Sequence, residues 1–413
     1  MSKRKNQKAS VNAQGNIVLP KNISSRLGFV PGSSVPVTEL SNAILLRRTA
    51  ASIAKIYIEP TSRCNLSCRI CIRNTWDEQQ GDMTPVTFHN IMQSLKKIRP
   101  KPLVIFGGLG EPLAHPSILD MLDKVKRYAA SVELITNGML LDENVAQHLV
   151  DIGVDVVWFS IDGARPESYA DMRIGAALPQ VLDHAARLRD LRAGGKPHIG
   201  IVFVAMRRNI AELPDVVRIA HRLAADRLLI TNVIPYTEDM VEEMLCADTL
   251  SMPPYTVPSP LAPQMLFPRI DLNNLTIQPL YQVIRTIAPL NLSDSDLAPN
   301  HCPFIESGSC CIAWDGSISP CLPLLHTHVT FLNNRRRVSY RCTLGNINNM
   351  ALDTVWHTSQ YLSFRKRVKM FPFSQCTMCG GCNLSKTNEE DCLGNHFPTC
   401  GGCLWSQGVV RCP

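Results

Sequence analysis

Three cysteines stand within eight residues in Cys64-Asn-Leu-Ser-Cys68-Arg-Ile-Cys71, directly after the apolar run Ile53 to Ile58. Four thiolates would close a structural zinc site or saturate a four-iron cluster, whereas three leave one iron without a protein ligand and free to hold something else. Two blander readings share the spacing: half of a zinc site completed elsewhere in the chain, or thiols packed in a core. Packed thiols fit badly, because Asn65, Ser67 and Arg69 make this a polar loop. Further groups able to do chemistry follow other apolar runs. Gly107-Gly108-Leu109-Gly110-Glu111-Pro112 combines close backbone approach with a carboxylate suited to an ammonium group. Thr136-Asn137-Gly138 and Ser160-Ile161-Asp162-Gly163 offer an amide, a hydroxyl and a carboxylate that can hydrogen-bond a sugar.

These groups need a frame, and the runs between them alternate. Ile53–Ile58, Leu103–Phe106, Val132–Ile135, Val154–Phe159, Ile199–Val204 and Leu228–Thr231 predict six strands. Between them, Val86–Ile98, Ile118–Ala129, Glu143–Val150 and Val181–Leu191 have helical periodicity. Such alternation predicts parallel βα units with the helices outside and functional residues at the C-terminal strand ends. Tyr236 and Asp239, after the sixth run, are expected at the same mouth.

The CxxxCxxC spacing after a first strand, followed by GGxGE and SxDG with Arg165, Tyr169 and Arg173, resembles the radical S-adenosylmethionine (radical SAM) superfamily. Ile70 stands where many members carry an aromatic residue. The resemblance implies an α/β fold, an open (β/α)6 partial TIM barrel. It also implies a [4Fe–4S] cluster on Cys64, Cys68 and Cys71 whose open iron chelates the amino and carboxylate groups of S-adenosylmethionine (SAM). Reductive cleavage of a carbon–sulfur bond would then give a 5′-deoxyadenosyl radical able to remove a hydrogen atom from an unreactive carbon. SAM would be held by Gly107, Gly108, Gly110 and Glu111 at its amino group and by Asn137, Ser160 and Asp162 near its ribose. Arg173 would meet its carboxylate, or else form a structural salt bridge. The cofactor brings the chemistry and the protein supplies orientation.

Sixteen cysteines in a chain of 413 residues, twelve of them after residue 300, predict a second metal-rich region. Cys302, Trp314-Asp315-Gly316, Cys321, Cys376-x2-Cys379-x2-Cys382, Cys400-x2-Cys403 and Cys412 follow one another in an order that resembles the SPASM extension of radical SAM maturases. That resemblance implies two auxiliary four-iron clusters on these eight thiols, with Cys310, Cys311, Cys342 and Cys392 spare and Cys311 or Cys392 the substitutes. Zinc is the alternative for the two CxxC pairs. Two departures stand out: only two residues precede Cys382, and Leu322 follows Cys321 where sulfatase-maturing members carry an aspartate.

Before the barrel, GNIVLPKNISSRLGFVPGSSVPV followed by AILLRR reads as two short hairpins around a helix from Pro20 to Leu27, and resembles AbrB/SpoVT-like swapped-hairpin domains. These are known mostly as dimeric DNA-binding modules, which implies a homodimer through this domain. Few positive charges lie within it, so DNA binding does not follow. The net charge of +7 is modest, and the basic runs at Lys3 to Lys8, Arg335-Arg336-Arg337 and Arg365-Lys366-Arg367 read as solvated faces or tails. No apolar stretch reaches transmembrane length, and Met1 to Val11 lacks the apolar core of a signal peptide, which predicts a cytoplasmic protein. The domains expected are 1–50, the AbrB-like unit; 51–248, the radical SAM core; 249–300, a proline-rich linker; and 301–413, the SPASM domain.

Together these parts resemble the maturases associated with tungsten-dependent oxidoreductases, implying such an oxidoreductase or its pterin cofactor as target and a ferredoxin or flavodoxin as electron donor. Two other functions fit parts of the pattern: a peptide maturase forming thioether or carbon–carbon crosslinks, and an iron–sulfur regulator binding DNA. A regulator has no need of the Glu111, Ser160 and Asp162 constellation. Anaerobically purified protein should be brown and hold about twelve irons per chain, as for three four-iron clusters; stoichiometric zinc in their place would overturn the cluster reading.

Overall fold

Apolar runs rich in Val, Ile and Phe favour strands buried on both faces, and in the computed structural model of the protein each of the six runs is one. The structure describes residues 8–21, 23–24, 35, 37–40, 43–46, 52–251, 268–286, 291–292, 300–333 and 335–413. Two short antiparallel hairpins come first, β1 (Ser10–Val11) with β2 (Ile17–Val18) and β3 (Val37–Leu40) with β4 (Ala43–Leu46). The end of the helix expected to run to Leu27 lies outside the described residues.

The barrel strands are β5 (Lys55–Ile58), β6 (Leu103–Phe106), β7 (Ser131–Thr136), β8 (Val156–Ser160), β9 (His198–Ala205) and β10 (Arg227–Asn232), each parallel to the next. Helices α1 (Pro85–Leu95), α2 (Ile118–Lys126), α3 (Glu143–Ile152), α4 (Pro166–Met172), α5 (Leu178–Leu191) and α6 (Leu213–Arg222) connect them. Capping residues set several starts. Thr84 accepts from Thr87 N ahead of Pro85 at the first turn of α1, and Asp142 accepts from Val145 N at α3, which ends on Gly153 at φ +71°.

Two features depart from the sequence expectation. The stretch 249–300, expected to be irregular, contains the ten-residue helix Ile277–Thr286 and a short strand, β11 (Asn291–Leu292), added parallel to β10. At the other edge the cysteine-rich region continues the same sheet: β12 (Ser309–Ile312) runs parallel to β5, followed by β13 (Ser317–Ser319) and β16 (Gly345–Asn346). Among the described residues the sheet therefore has ten strands. Between Cys302 and Cys321 the chain forms the β12–β13 hairpin, with these two thiols flanking it. A second hairpin pairs β14 (His328–Leu332) with β15 (Arg335–Ser339).

The inner face of the barrel is filled by Val156, Trp158 and Leu229, while Glu133 Oε2 accepts the Trp158 indole N–H at 2.7 Å and its Oε1 pairs with Arg227 at 3.2 Å. Residues 409–413 cross this face. Asn232 Nδ2 donates to Val409 O at 3.0 Å, Arg411 N donates to Thr231 Oγ1 at 2.9 Å, and Pro413 O accepts from Lys55 Nζ at 2.6 Å and from Tyr57. No helix among the described residues is long and apolar enough to cross a membrane.

A methyl group at Gly200 would lie 2.3 Å from Trp158 Cε3. Gly200→Ala should lower the midpoint of urea unfolding, with a loss of about 1–3 kcal/mol from overpacking. An unchanged midpoint would show that the barrel interior has room.

Candidate active site

The cysteine loop leaves the C-terminal end of β5 and is held by backbone bonds to the last residue of α4 and the segment that follows it. Ser67 N donates to Ile174 O at 3.0 Å and Arg69 N to Met172 O at 2.9 Å. Cys68 is buried and Cys64 and Cys71 are half-buried. Polar hydrogens surround the sulfurs: Leu66 N and Arg73 Nε donate to Cys64 and Cys71 at 3.4 Å each, and Asn137 Nδ2 lies 3.8 Å from Cys64 Sγ. Burial pushes the Cys64 and Cys68 thiols up, and the cations Arg73 and Arg173 act against it. Three soft sulfur donors with N–H groups and two guanidiniums nearby make a donor set that fits an iron–sulfur cluster, because coordination deprotonates thiols and the donors stabilise the anion. No three His, Cys, Asp or Glu side chains among the described residues converge on a single metal-sized point.

The glycine loop after β6 sits beneath this loop, and its geometry revises two expectations. A methyl group at Gly110 would lie 2.2 Å from Thr61 O and 2.5 Å from Arg63 O, so this glycine admits the neighbouring chain rather than a ligand. Glu111 N donates to Arg63 O at 2.8 Å and completes the docking. The Glu111 carboxylate is buried and already engaged: Oε1 accepts from Leu113 N at 3.1 Å and Thr136 Oγ1 at 2.7 Å, and Oε2 from Asn137 N at 2.7 Å. It therefore staples the loop after β6 to the loop after β7, with capacity for one more donor on Oε2. Its pKa is raised by burial against those hydrogen bonds. Asn137 spans to the cysteine loop through Nδ2 to Asn65 Oδ1 at 2.8 Å. Gly108 adopts φ +143° over the Glu59 side chain, and Gly107 packs on Ile135.

Asp162 was expected at a ribose, and here it turns inward. It is fully buried, its Oδ1 accepts from Val204 N at 2.8 Å, and its Oδ2 accepts from Arg173 Nε at 2.7 Å and Nη2 at 2.6 Å. The salt-bridge reading of Arg173 holds, while the guanidinium keeps donors beyond those two. Cys68 and Asp162 both act on this cation and raise its pKa, Asp162 more. Ser160 O accepts from Tyr169 at 3.1 Å, at the mouth end of β8. Tyr236 lies in the apolar cluster at the mouth with Ile72, Met172, Met206 and Met240, edge-on to His328 at 5.8 Å. Asp239 is exposed, contrary to expectation, because the turn Glu238–Val241 rotates it outward.

One buried set escaped sequence reasoning. Glu59, the residue after β5, accepts from Leu109 N at 3.2 Å through Oε1 and meets His326 Nε2 at 2.9 Å through Oε2. His326 Nδ1 meets Glu78 Oε2 at 2.6 Å, Trp76 stacks on the imidazole with centroids 4.3 Å apart, and Arg341 approaches Glu78 at 3.4 Å. The only signal for it was an acidic residue closing an apolar strand, Ile56-Tyr57-Ile58-Glu59.

The C-terminal cysteines fall into two neighbourhoods. Cys302, Cys321, Cys400 and Cys403 line one cavity, together with His328, Arg337 and Trp405. Burial pushes Cys302 up to about 12, and Cys403 acts in the same direction. Cys376, Cys379 and Cys382 lie on a separate loop, and Ser374 hydrogen-bonds both Cys376 and, at 3.2 Å, Cys392. Cys412 is outside that cavity lining: it accepts the Trp405 indole N–H at 3.1 Å and faces Lys55. Cys310 and Cys311 are buried in β12 against the barrel.

Residues 58–220 match the model of the radical SAM superfamily, and residues 302–383 match that of the SPASM iron–sulfur cluster-binding domain. The tungsten-containing aldehyde ferredoxin oxidoreductase cofactor-modifying protein of Pyrococcus furiosus is 30% identical over 366 residues, covering 87% of this chain and 96% of the relative. The chain belongs to the radical SAM superfamily. This radical SAM protein is also 29% identical over 179 residues to the PqqA peptide cyclase of Gluconobacter oxydans, which covers 43% of the chain and 49% of that relative. In fold it is similar to anSMEcpe with bound AdoMet, at TM-score 0.56 and 17% identity over 79% of this chain and 86% of that one. Streptococcus suis SuiB bound to S-adenosylmethionine gives 0.54 and 14% over 83% and 72%. This radical SAM enzyme is SAM-dependent, with a SPASM iron–sulfur cluster-binding domain following its radical SAM domain.

Burial acts to lower the His326 pKa, but the hydrogen bonds and charges of Glu59 and Glu78 outweigh it and raise it to about 9. A histidine whose folded value exceeds its unfolded value of about 6.5 contributes stability that is complete below that value and is lost as pH rises through about 9. The unfolding midpoint should therefore fall between about pH 6.5 and 9, by on the order of 3 kcal/mol at most. In His326→Gln this slope should flatten; a slope equal to wild type would remove His326 from the account.

Proposed function

We propose that this chain is a maturase that uses SAM radical chemistry to modify a partner tungsten-dependent oxidoreductase or its pterin cofactor. The observation that carries this reading is the similarity to the Pyrococcus furiosus cofactor-modifying protein along nearly all of that relative, with the cysteine loop at the barrel mouth in the same chain. Cys64, Cys68 and Cys71 would hold the SAM-binding [4Fe–4S] cluster. When bound, cluster and SAM supply a carbon radical able to remove a hydrogen atom from the target.

The chain's own residues do the positioning. Arg173, pinned by Asp162, directs its remaining donors toward the cysteine loop, where they suit the SAM carboxylate. Glu111 Oε2 retains acceptor capacity for the amino group, and Ser160 at the end of β8 offers its hydroxyl to the ribose side. Asn137 and the glycines Gly107, Gly108 and Gly110 keep the loops in register. The apolar mouth around Tyr236, Met206 and Met240 excludes water and stray hydrogen donors.

The auxiliary clusters would divide between the C-terminal cavity and the separate C-terminal cysteine loop. Cys302, Cys321, Cys400 and Cys403 would hold one, and Cys376, Cys379 and Cys382 the other, with Cys392 rather than Cys412 as its fourth ligand, because Cys392 shares Ser374 with Cys376. A low-potential donor of the ferredoxin or flavodoxin class would supply electrons in the cytoplasm. Val11, Ile17, Val18, Val37 and Ile44 expose apolar side chains on the N-terminal hairpins, which supports recognition of the target or a second copy of the chain there. Peptide maturation remains the second reading, supported by the PqqA peptide cyclase likeness over 43% of the chain.

Changing Cys64, Cys68 and Cys71 together to Ala should remove about four irons per chain and abolish reductive SAM cleavage. Arg173→Gln should weaken SAM binding about tenfold to a hundredfold. Co-expression with a tungsten oxidoreductase tests the target: wild type should yield active oxidoreductase and the triple variant none. Equal activation by both would overturn the assignment.

A further inference from the structure

The basic run Arg335-Arg336-Arg337 reads in sequence as a solvated face, but alternation along β15 divides it. Arg336 points to solvent, whereas Arg335 and Arg337 share the opposite face and lie over the Cys376 to Cys382 loop. Arg335 Nη1 donates to Cys382 O at 2.9 Å, and Arg337 Nη1 reaches Cys376 O at 3.5 Å. Arg337 is only 8% exposed, and it lines the cavity that holds Cys302, Cys321, Cys400 and Cys403. Its guanidinium lies flat on Gly402, where a methyl group would come 1.9 Å from Nη2 and 2.4 Å from Nη1. Gly402, the second of the two glycines between Cys400 and Cys403, is thus bare so that this cation can approach.

A buried guanidinium costs several kcal/mol unless anions face it. The anionic groups acting on Arg337 are the thiols of Cys376, Cys403 and Cys379, drawn from both cysteine neighbourhoods, and no carboxylate is among them. Lone thiols, raised by their own burial, are poor counter-charges; thiolate-ligated clusters are good ones.

We propose that Arg337 is the shared counter-cation of the two auxiliary iron–sulfur centres and raises the reduction potential of both. The proposal rests on the reading that two such centres are present. Each centre gains one electron from an external low-potential reductant and becomes more negative by one charge, and a fixed buried cation favours that reduced form. Both centres are thereby tuned together by one side chain. The cluster on Cys64, Cys68 and Cys71, whose thiols are not among the groups acting on Arg337, serves as the internal reference.

The test is a potentiometric titration with dithionite, followed by electron paramagnetic resonance, on iron-loaded wild type, Arg337→Met, Arg337→Lys and Gly402→Ala, each with iron counted. Arg337→Met should make reduction of both auxiliary centres at least about tenfold less favourable, which is 59 mV for one electron. Arg337→Lys should restore most of this, and Gly402→Ala, which pushes the guanidinium away, should shift chiefly the centre containing Cys403. The reference cluster should not move. Should Arg337→Met fail to hold iron, Gly402→Ala decides alone. Auxiliary potentials unchanged at about twelve irons per chain would overturn the role of Arg337. About four irons in the wild type would instead remove the auxiliary centres themselves, and the proposal with them.

Discussion

A single buried ion pair, Asp162 with Arg173, underlies the shape of the catalytic loop. The cysteine loop has no regular structure of its own, so its backbone N–H groups must find partners elsewhere. Two of them, from Ser67 and Arg69, go to the carbonyls of Ile174 and Met172, on either side of Arg173. Whatever displaces Arg173 displaces both. Asp162 fixes it through two donors and is itself fixed by Val204 N, while Asn209 Nδ2 holds Asp162 O at 2.8 Å. A residue with no exposure to ligand thereby sets where three sulfurs stand.

The same economy links the barrel to its cysteine-rich extension. Strand β12 extends the barrel sheet beside β5, and directly above that pairing Glu59, His326 and Glu78 join the glycine loop to the segment after Cys321. Two carboxylates on one imidazole are tolerable in a buried place only while the imidazole is charged. Radical chemistry needs the mouth kept dry and the loops immobile. A charged relay locked beneath a stacked Trp76 meets both needs where an exposed ion pair would not.

Much of this was legible from residue spacing. The six strands and the loops that follow them lie where apolar runs and Gly or Cys punctuation put them, whereas the division of the C-terminal cysteines does not follow from their spacing. What the chain could not announce is orientation. Asp162 and Glu111 were rightly placed at strand ends, but only the fold shows that their oxygens are consumed by Arg173, Val204, Thr136 and Asn137. Gly110 has the look of a ligand-cradling glycine, and the neighbour it admits is the carbonyl of Thr61, 49 positions earlier. The helix Ile277–Thr286 was hidden by the prolines before it, and Arg337 by the two arginines beside it. In each case a local signal was outvoted by a partner distant in sequence.

Residues 409–413 lie across the inner face of the barrel, where Arg411 bonds to Thr231, 180 positions earlier, and Pro413 to Lys55, 358 positions earlier. Because a chain emerges from the ribosome in order, β5 to β10 are made long before the segment that fills their interior. Contacts of such separation carry a large closure entropy and form late. Until then Trp158, Glu133 and Lys55 face an unfilled barrel. The interior of this barrel is therefore filled only after its shell is made, so a newborn chain passes through a stage in which the cysteine loop exists but the chamber around it does not. A radical generated then would meet solvent and the protein itself. The tail thus gives synthesis a built-in order: shell first, contents last.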